Sequence, residues 1–329
     1  MRIPTYDELL ARTDAPAGSA WGLWGADDQL GTLNFLTPER VVRAAGLVRT
    51  GTRFNLDHPV NAFEPYPTGT RHPARHHMFS NNPWHHDDWV DSFYMQSSSQ
   101  IDSLRHVGHP EHGFYGGRAK EDITEDGDVL GIQNFAQAGI VGRGVLLDVD
   151  RYVAAQGRPL RLNDPTAFGP DLLDAVADAQ GIRLEDGDLL LIRTGWAGRY
   201  TALTTQERIA LNSARSTPGL AQTEEVVRWL WDHRVAMVAA DNTGVERSPA
   251  QDSDFVVDGL PKPQRGPEHN GMIHRPLIGL LGMVLGELWA LDELAADCAA
   301  DGRYEFMLTA SPLNLIGGAG SPSNAIAIK

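Results

Sequence analysis

Three short apolar runs, GVLLDV at 144–149, DLLLIR at 188–193 and VAMVAA at 235–240, limit what this chain can fold into. Short apolar runs bounded by polar residues read as buried strands. Helices lie between them. Pro170–Gln180 gathers Leu172, Leu173, Val176 and Ala177 on one face and is closed by Gly181. Thr223–His233 reads as a helix feeding the third run. Upstream, Thr37 and Pro38 supply a capping hydroxyl and a first-turn proline for a helix through Val41, Val42, Ala44 and Leu47. Downstream, helices are expected near Ile273–Leu281 and Leu291–Ala300, with strands at Tyr304–Leu308 and Asn324–Ile328. With no internal repeat and no compositional break, the pattern predicts one domain over residues 1–329, of mixed α/β or α+β class. Residues 58–90 stand apart, rich in Pro, His, Asn and Asp with little periodicity. A long segment of this kind is expected to be an arm or lid over a site, the alternative being a solvated surface loop.

The charge balance narrows the partners. Against 28 Lys and Arg stand 43 Asp and Glu, a formal charge of −15. Such a field repels phosphate backbones and anionic lipid, so neither nucleic acid nor a membrane surface is an expected partner. No run of 18 residues lacks charges and breakers, and no apolar run follows Arg2, so neither a membrane span nor a signal peptide is expected. Cys298 is the single cysteine; it excludes an internal disulfide and a thiolate cluster, and fits a cytoplasmic protein.

Three groups of residues carry possible chemistry. In the first, Gln96-Ser-Ser-Ser-Gln100-Ile-Asp102-Ser-Leu-Arg-His106, a strand over 91–102 would put Gln96, Gln100 and Asp102 on one face with His106 just beyond. A carboxylate, two amide oxygens and an imidazole can hold a hard or borderline divalent cation; a polar strand and an ordinary surface histidine is the other reading. The second group is His274 and, thirteen residues on, Glu287 between Leu285 and Leu288. A carboxylate in such apolar company calls for a partner, a metal or an arginine, unless it stays at a helix end or the surface. The third is His72, His76, His77, His85 and His86, with His109 and His112 nearby, read as pocket-lining or surface residues. G-x-S-x-G, G-x-x-x-x-G-K-[ST] and H-E-x-x-H are all absent, and Cys298 sits in a helical setting suited to a packed thiol.

These residues resemble the cyclase family of metal-dependent hydrolases, which includes bacterial kynurenine formamidase and isatin hydrolase. The family's H-x-G-T-H-x-D-x-x-x-H signature falls on residues 96–106 with its spacing intact, and both of its leading histidines are glutamine here. The blocks around Trp24–Asn34, Gly142–Asp148, Leu191–Trp196, His274, Glu287 and Ser311–Pro322 match in the same order. The resemblance implies a swivelling β/β/α fold, a dimer or tetramer, and hydrolysis of an amide or lactone of a small molecule with manganese or zinc. It implies Gln96, Gln100, Asp102, His274 and Glu287 as metal ligands, and His106 as the proton carrier. Trp24, His85 and His86 are then candidates for the pocket wall. Carboxamide oxygens are harder and weaker donors than imidazole, which favours manganese, or magnesium, over zinc. The contrasting expectation is a metal-free cyclase or lyase, or a small-molecule binding protein, on the same fold. A third is that the glutamines only bond strand ends, with the site in the histidine loop.

Overall fold

A computed structural model describes residues 2–212, 216–257, 259–260 and 269–329, and in it the three apolar runs lie side by side. The main sheet has nine strands: β1 (Arg53–Asn55), β2 (Gln100–Asp102), β3 (Ile140–Asp148), β4 (Leu189–Arg193), β5 (Met237–Ala240), β6 (Val284–Glu287), β7 (Glu305–Ala310), β8 (Gly320–Pro322) and β9 (Ala325–Ile328). Their spatial order is β1-β9-β7-β3-β4-β5-β6-β2-β8. The four central strands, β3 to β6, are parallel, and every other pairing is antiparallel. Strands of a parallel sheet are buried on both faces, which is why these read as unbroken apolar runs. The sheet and its helices form one mixed α/β domain.

Helices Pro38–Ala45 and Pro170–Gln180 both pack on β3. Gly181 closes the second in the left-handed conformation, φ +67°, a position where a side chain would be strained. Helices Glu224–Asp232 and Asp292–Asp301 fall where expected; Ile273–Leu281 shrinks to a π-type turn at Arg275–Leu280. At the carboxyl ends of β4 and β5, buried Asp241 accepts three hydrogen bonds of 2.7 Å, from Thr194 N, Thr194 Oγ1 and Gly195 N. That clamp holds the end of the sheet where open α/β folds carry their sites.

Two local expectations change. The strand over 91–102 contracts to Gln100–Asp102, because residues 92–99 turn, with Ser97 N bonded to Tyr94 O and Ser99 Oγ to Leu288 O. The segment within 58–90 is not structureless either: Arg75–Asn82 and His85–Asp91 form an antiparallel hairpin. Its strands are mostly exposed, so no in–out alternation marks them. Cross-strand pairs hold it, including His77 stacked on Trp89 at 4.0 Å and a His76–Asp88 hydrogen bond at 2.7 Å. No helix among the described residues is long and apolar enough to cross a membrane.

Candidate metal centre and active site

Register assembles half of the site. Gln100 and Asp102 alternate along β2 and face the same side of the sheet. Glu287, the last residue of β6, is the cross-strand partner of Gln100 and joins them on that face. His274, just before the Arg275–Leu280 turn, completes the group, and one ligand atom each from Asp102, His274 and Glu287 lies within 4.8 Å of the others. All three are buried. His274 Nε2 stands 3.0 Å from Glu287 Oε1 and 4.0 Å from Asp102 Oδ2.

A residue that the sequence did not single out fixes the histidine. Glu246, fully buried, accepts from the Ile273 and His274 backbone N–H groups and from His274 Nδ1 at 2.6 Å. Burial alone would lower the basicity of His274, but the hydrogen bonds to Glu246 and Glu287 prevail and raise its pKa well above the ordinary value. Burial pushes Asp102 the other way for a carboxylate, upward, with the charge of His274 opposing.

The unsatisfied atoms test whether a cation fits. Asp102 Oδ2 and both amide atoms of Gln100 are buried without a hydrogen-bond partner. Buried polar groups are nearly always paired, so this concentration of orphaned oxygen beside two carboxylates and an imidazole is unusual. Its chemistry, oxygens plus one imidazole, suits a hard or borderline divalent ion. Gln96, brought in by the 92–99 turn, points its amide nitrogen at Asp102 Oδ1 and at the His106 ring, 3.2 Å away. As arranged, it bridges those two residues and does not offer its oxygen to a cation. Burial lowers the His106 pKa to about 4, with His274 adding to the effect, so its ring is neutral near pH 7.

Other sequence candidates lie elsewhere. Trp24 packs edge-on against Phe35 and Trp231, with ring centres 5.3 and 6.3 Å apart, as part of the core. His85 and His86 stand on the exposed hairpin, bonded to Asp87 and Ser80 of that hairpin. The structure does not bring these three to the cluster, because an aromatic core holds the first and the hairpin projects with the others. His109, Glu111 and His112 form a second, more exposed group, in which His109 Nδ1 already accepts from Glu111 N. Unforeseen arrivals at the main cluster are Glu246, the Tyr66–Arg71 pair and His269, whose ring centre is 5.9 Å from His106 and 5.3 Å from His274.

Comparison with known proteins agrees with this architecture. A family model described as "Putative cyclase" matches residues 54–247. A crystal structure described as a novel cyclase superposes with a TM-score of 0.80 at 34% identity, over 94% of this chain and 99% of that one. An isatin hydrolase bound to the product analogue thioisatinate gives 0.55 at 16% identity, covering 89% and 98%. Isatin hydrolase A from Ralstonia solanacearum gives 0.55 at 18%, again covering 89% and 98%. At those identities, the two hydrolases share the fold. No curated protein matches the sequence.

Proposed function

Because this chain belongs to the cyclase family, we propose that it is a metal-dependent hydrolase opening an amide or lactone bond of a small molecule. The observation that carries the reading is the buried meeting of Asp102, His274 and Glu287 beside the unpartnered Asp102 Oδ2 and Gln100 amide. Gln100, Asp102, His274 and Glu287 would hold the ion, and Gln96 would join them by turning its amide oxygen inward. Manganese or zinc, with magnesium also compatible, suits these donors. A bound divalent ion supplies carbonyl polarisation and a water acidified toward neutrality.

The chain's own side chains do the rest. His106, neutral near pH 7 and held by the Gln96 amide, takes a proton from the attacking water at its unprotonated ring nitrogen and returns it to the leaving nitrogen or oxygen. Glu246 keeps His274 Nδ1 engaged and so directs Nε2 toward Glu287 and Asp102.

Elemental analysis tests this reading on protein purified without chelator or metal-affinity resin, beside Asp102→Ala. A near-stoichiometric divalent ion, lost in the variant, supports it and justifies screening amides and lactones. Metal absent from both, with none bound on titration, overturns it in favour of a metal-free cyclase, lyase or binding protein.

The same reading includes a homo-oligomer. A lone two-stranded hairpin is marginal in water, and this one exposes Met78, Trp89, Val90 and, at 94%, Trp84. A second copy would cover that apolar surface. Light scattering after size exclusion checks it, and a monomer at micromolar concentration overturns it.

A further inference from the structure

Arg71 is half-buried beside the cluster, and among the described residues no carboxylate pairs with it. Its Nη1 donates to the Tyr66 hydroxyl and to the backbone oxygen of Gln96, and its guanidinium lies 4.7 Å from the centre of the Tyr66 ring. These contacts anchor one edge of the fork. Among the described residues, Nε and Nη2 meet no hydrogen-bond partner, and no Asp or Glu forms an ion pair with the group. Gln96 in turn touches Asp102 and His106, so the guanidinium is two contacts from the reacting centre. Behind the dominant effect of burial, its charge is felt at both Asp102 and His106.

A half-buried guanidinium without an anion has given up hydration for little return. Its free edge matches two oxygens of a carboxylate. Tyr66 strengthens the match. Burial keeps its phenol protonated, with the charges of Glu287 and Asp102 acting the same way against Arg71. Its oxygen accepts from Arg71, which leaves its proton to be donated.

We propose that Arg71, held by Tyr66 and Gln96, is the anion receptor of this site, and that the site takes small molecules that carry a carboxylate or release one on hydrolysis. The second source rests on the hydrolase reading. There, the acyl carbon gains the oxygen of water, its C–N or C–O bond breaks, the leaving atom takes a proton, and the acid formed ionises.

Calorimetric titration with benzoate, and with benzamide as its neutral counterpart, tests the proposal. The proteins are wild type, Arg71→Met and Arg71→Lys, each dialysed against chelator and each loaded with Mn²⁺. The expected result is benzoate binding that benzamide does not share, about tenfold or more weaker in Arg71→Met and intermediate in Arg71→Lys, which keeps the charge without the fork. Tighter benzoate binding in the Mn²⁺-loaded protein assigns the receptor to the product's carboxylate. Equal affinity assigns it to one that the substrate already carries. Benzoate that fails to bind wild type, binds Arg71→Met equally well, or binds no better than benzamide overturns the proposal. Failure of Mn²⁺ to bind overturns the hydrolase reading instead, and the chelated proteins still decide the role of Arg71.

Discussion

The Glu246 carboxylate accepts from His274 Nδ1 at 2.6 Å, and the opposite ring nitrogen of that histidine faces Glu287 at 3.0 Å. One carboxylate thus orients the imidazole that another carboxylate meets. Glu246→Gln keeps the shape and removes the charge. Removing such an outer partner weakens metal binding by about 10- to 100-fold in comparable sites, and that loss is expected here. Competition with a fluorescent chelator measures it; unchanged affinity would reduce Glu246 to a backbone anchor.

Truncating the same residue is a different experiment. Glu246→Ala leaves two buried backbone N–H groups and a buried imidazole without their acceptor. The cost expected is about 3–5 kcal/mol, the range for breaking a buried charged pair, read from urea unfolding.

Acid should weaken the fold through His106. Burial holds its native pKa near 4, whereas an unfolded histidine protonates near 6.5. The unfolded chain therefore binds the proton first, and stability falls as pH drops from about 6.5 to about 4. Asp102, Gln96, His269, His274, Arg71 and Glu287 are the groups that face or influence this ring; the charge of Glu287 acts to raise its pKa, and those of His274 and Arg71 to lower it. Urea midpoints of chelator-treated protein across that window should show the slope in wild type and a shallower one in His106→Gln. Equal slopes would mean that His106 titrates alike in both states.

The close approach of β5 and β6 depends on a missing side chain. A Cβ on Gly286 would lie 2.8 Å from both Ala239 Cβ and Trp289 Nε1, and Trp289 donates to the backbone oxygen of Gln100. Gly286→Ala should cost about 1–3 kcal/mol as the core overpacks. It should also weaken cation binding, because the displaced tryptophan is bonded to a strand that carries two of the proposed ligands. Thermal unfolding and metal titration of the same variant check both effects.

How much of this was legible in sequence depends on the length scale of each interaction. Leu189–Arg193 and Met237–Ala240 announced themselves because strands buried on both faces must be apolar throughout. Pro170–Gln180 was readable from its first proline to its closing Gly181. The Gln96–Asp102 spacing did identify residues that meet, but the geometry behind it was wrong: Gln96 arrives through a turn and not along a strand. Glu246 was invisible because its partner is 28 residues away, beyond any local periodicity. Arg71 was missed for the same reason, being 25 residues from Gln96. The hairpin escaped because neither of its faces packs on the core.

The proposed ion ligands Gln100, Asp102 and Glu287 sit on paired strands with the whole core behind them, whereas Gln96, Arg71 and His269 sit on connecting segments. Connecting segments accept sequence change far more readily than a packed sheet. Descendants of such a chain could therefore exchange one small molecule for another by altering the segments around Arg71 and His269, while the ion ligands carried on the sheet passed down unchanged.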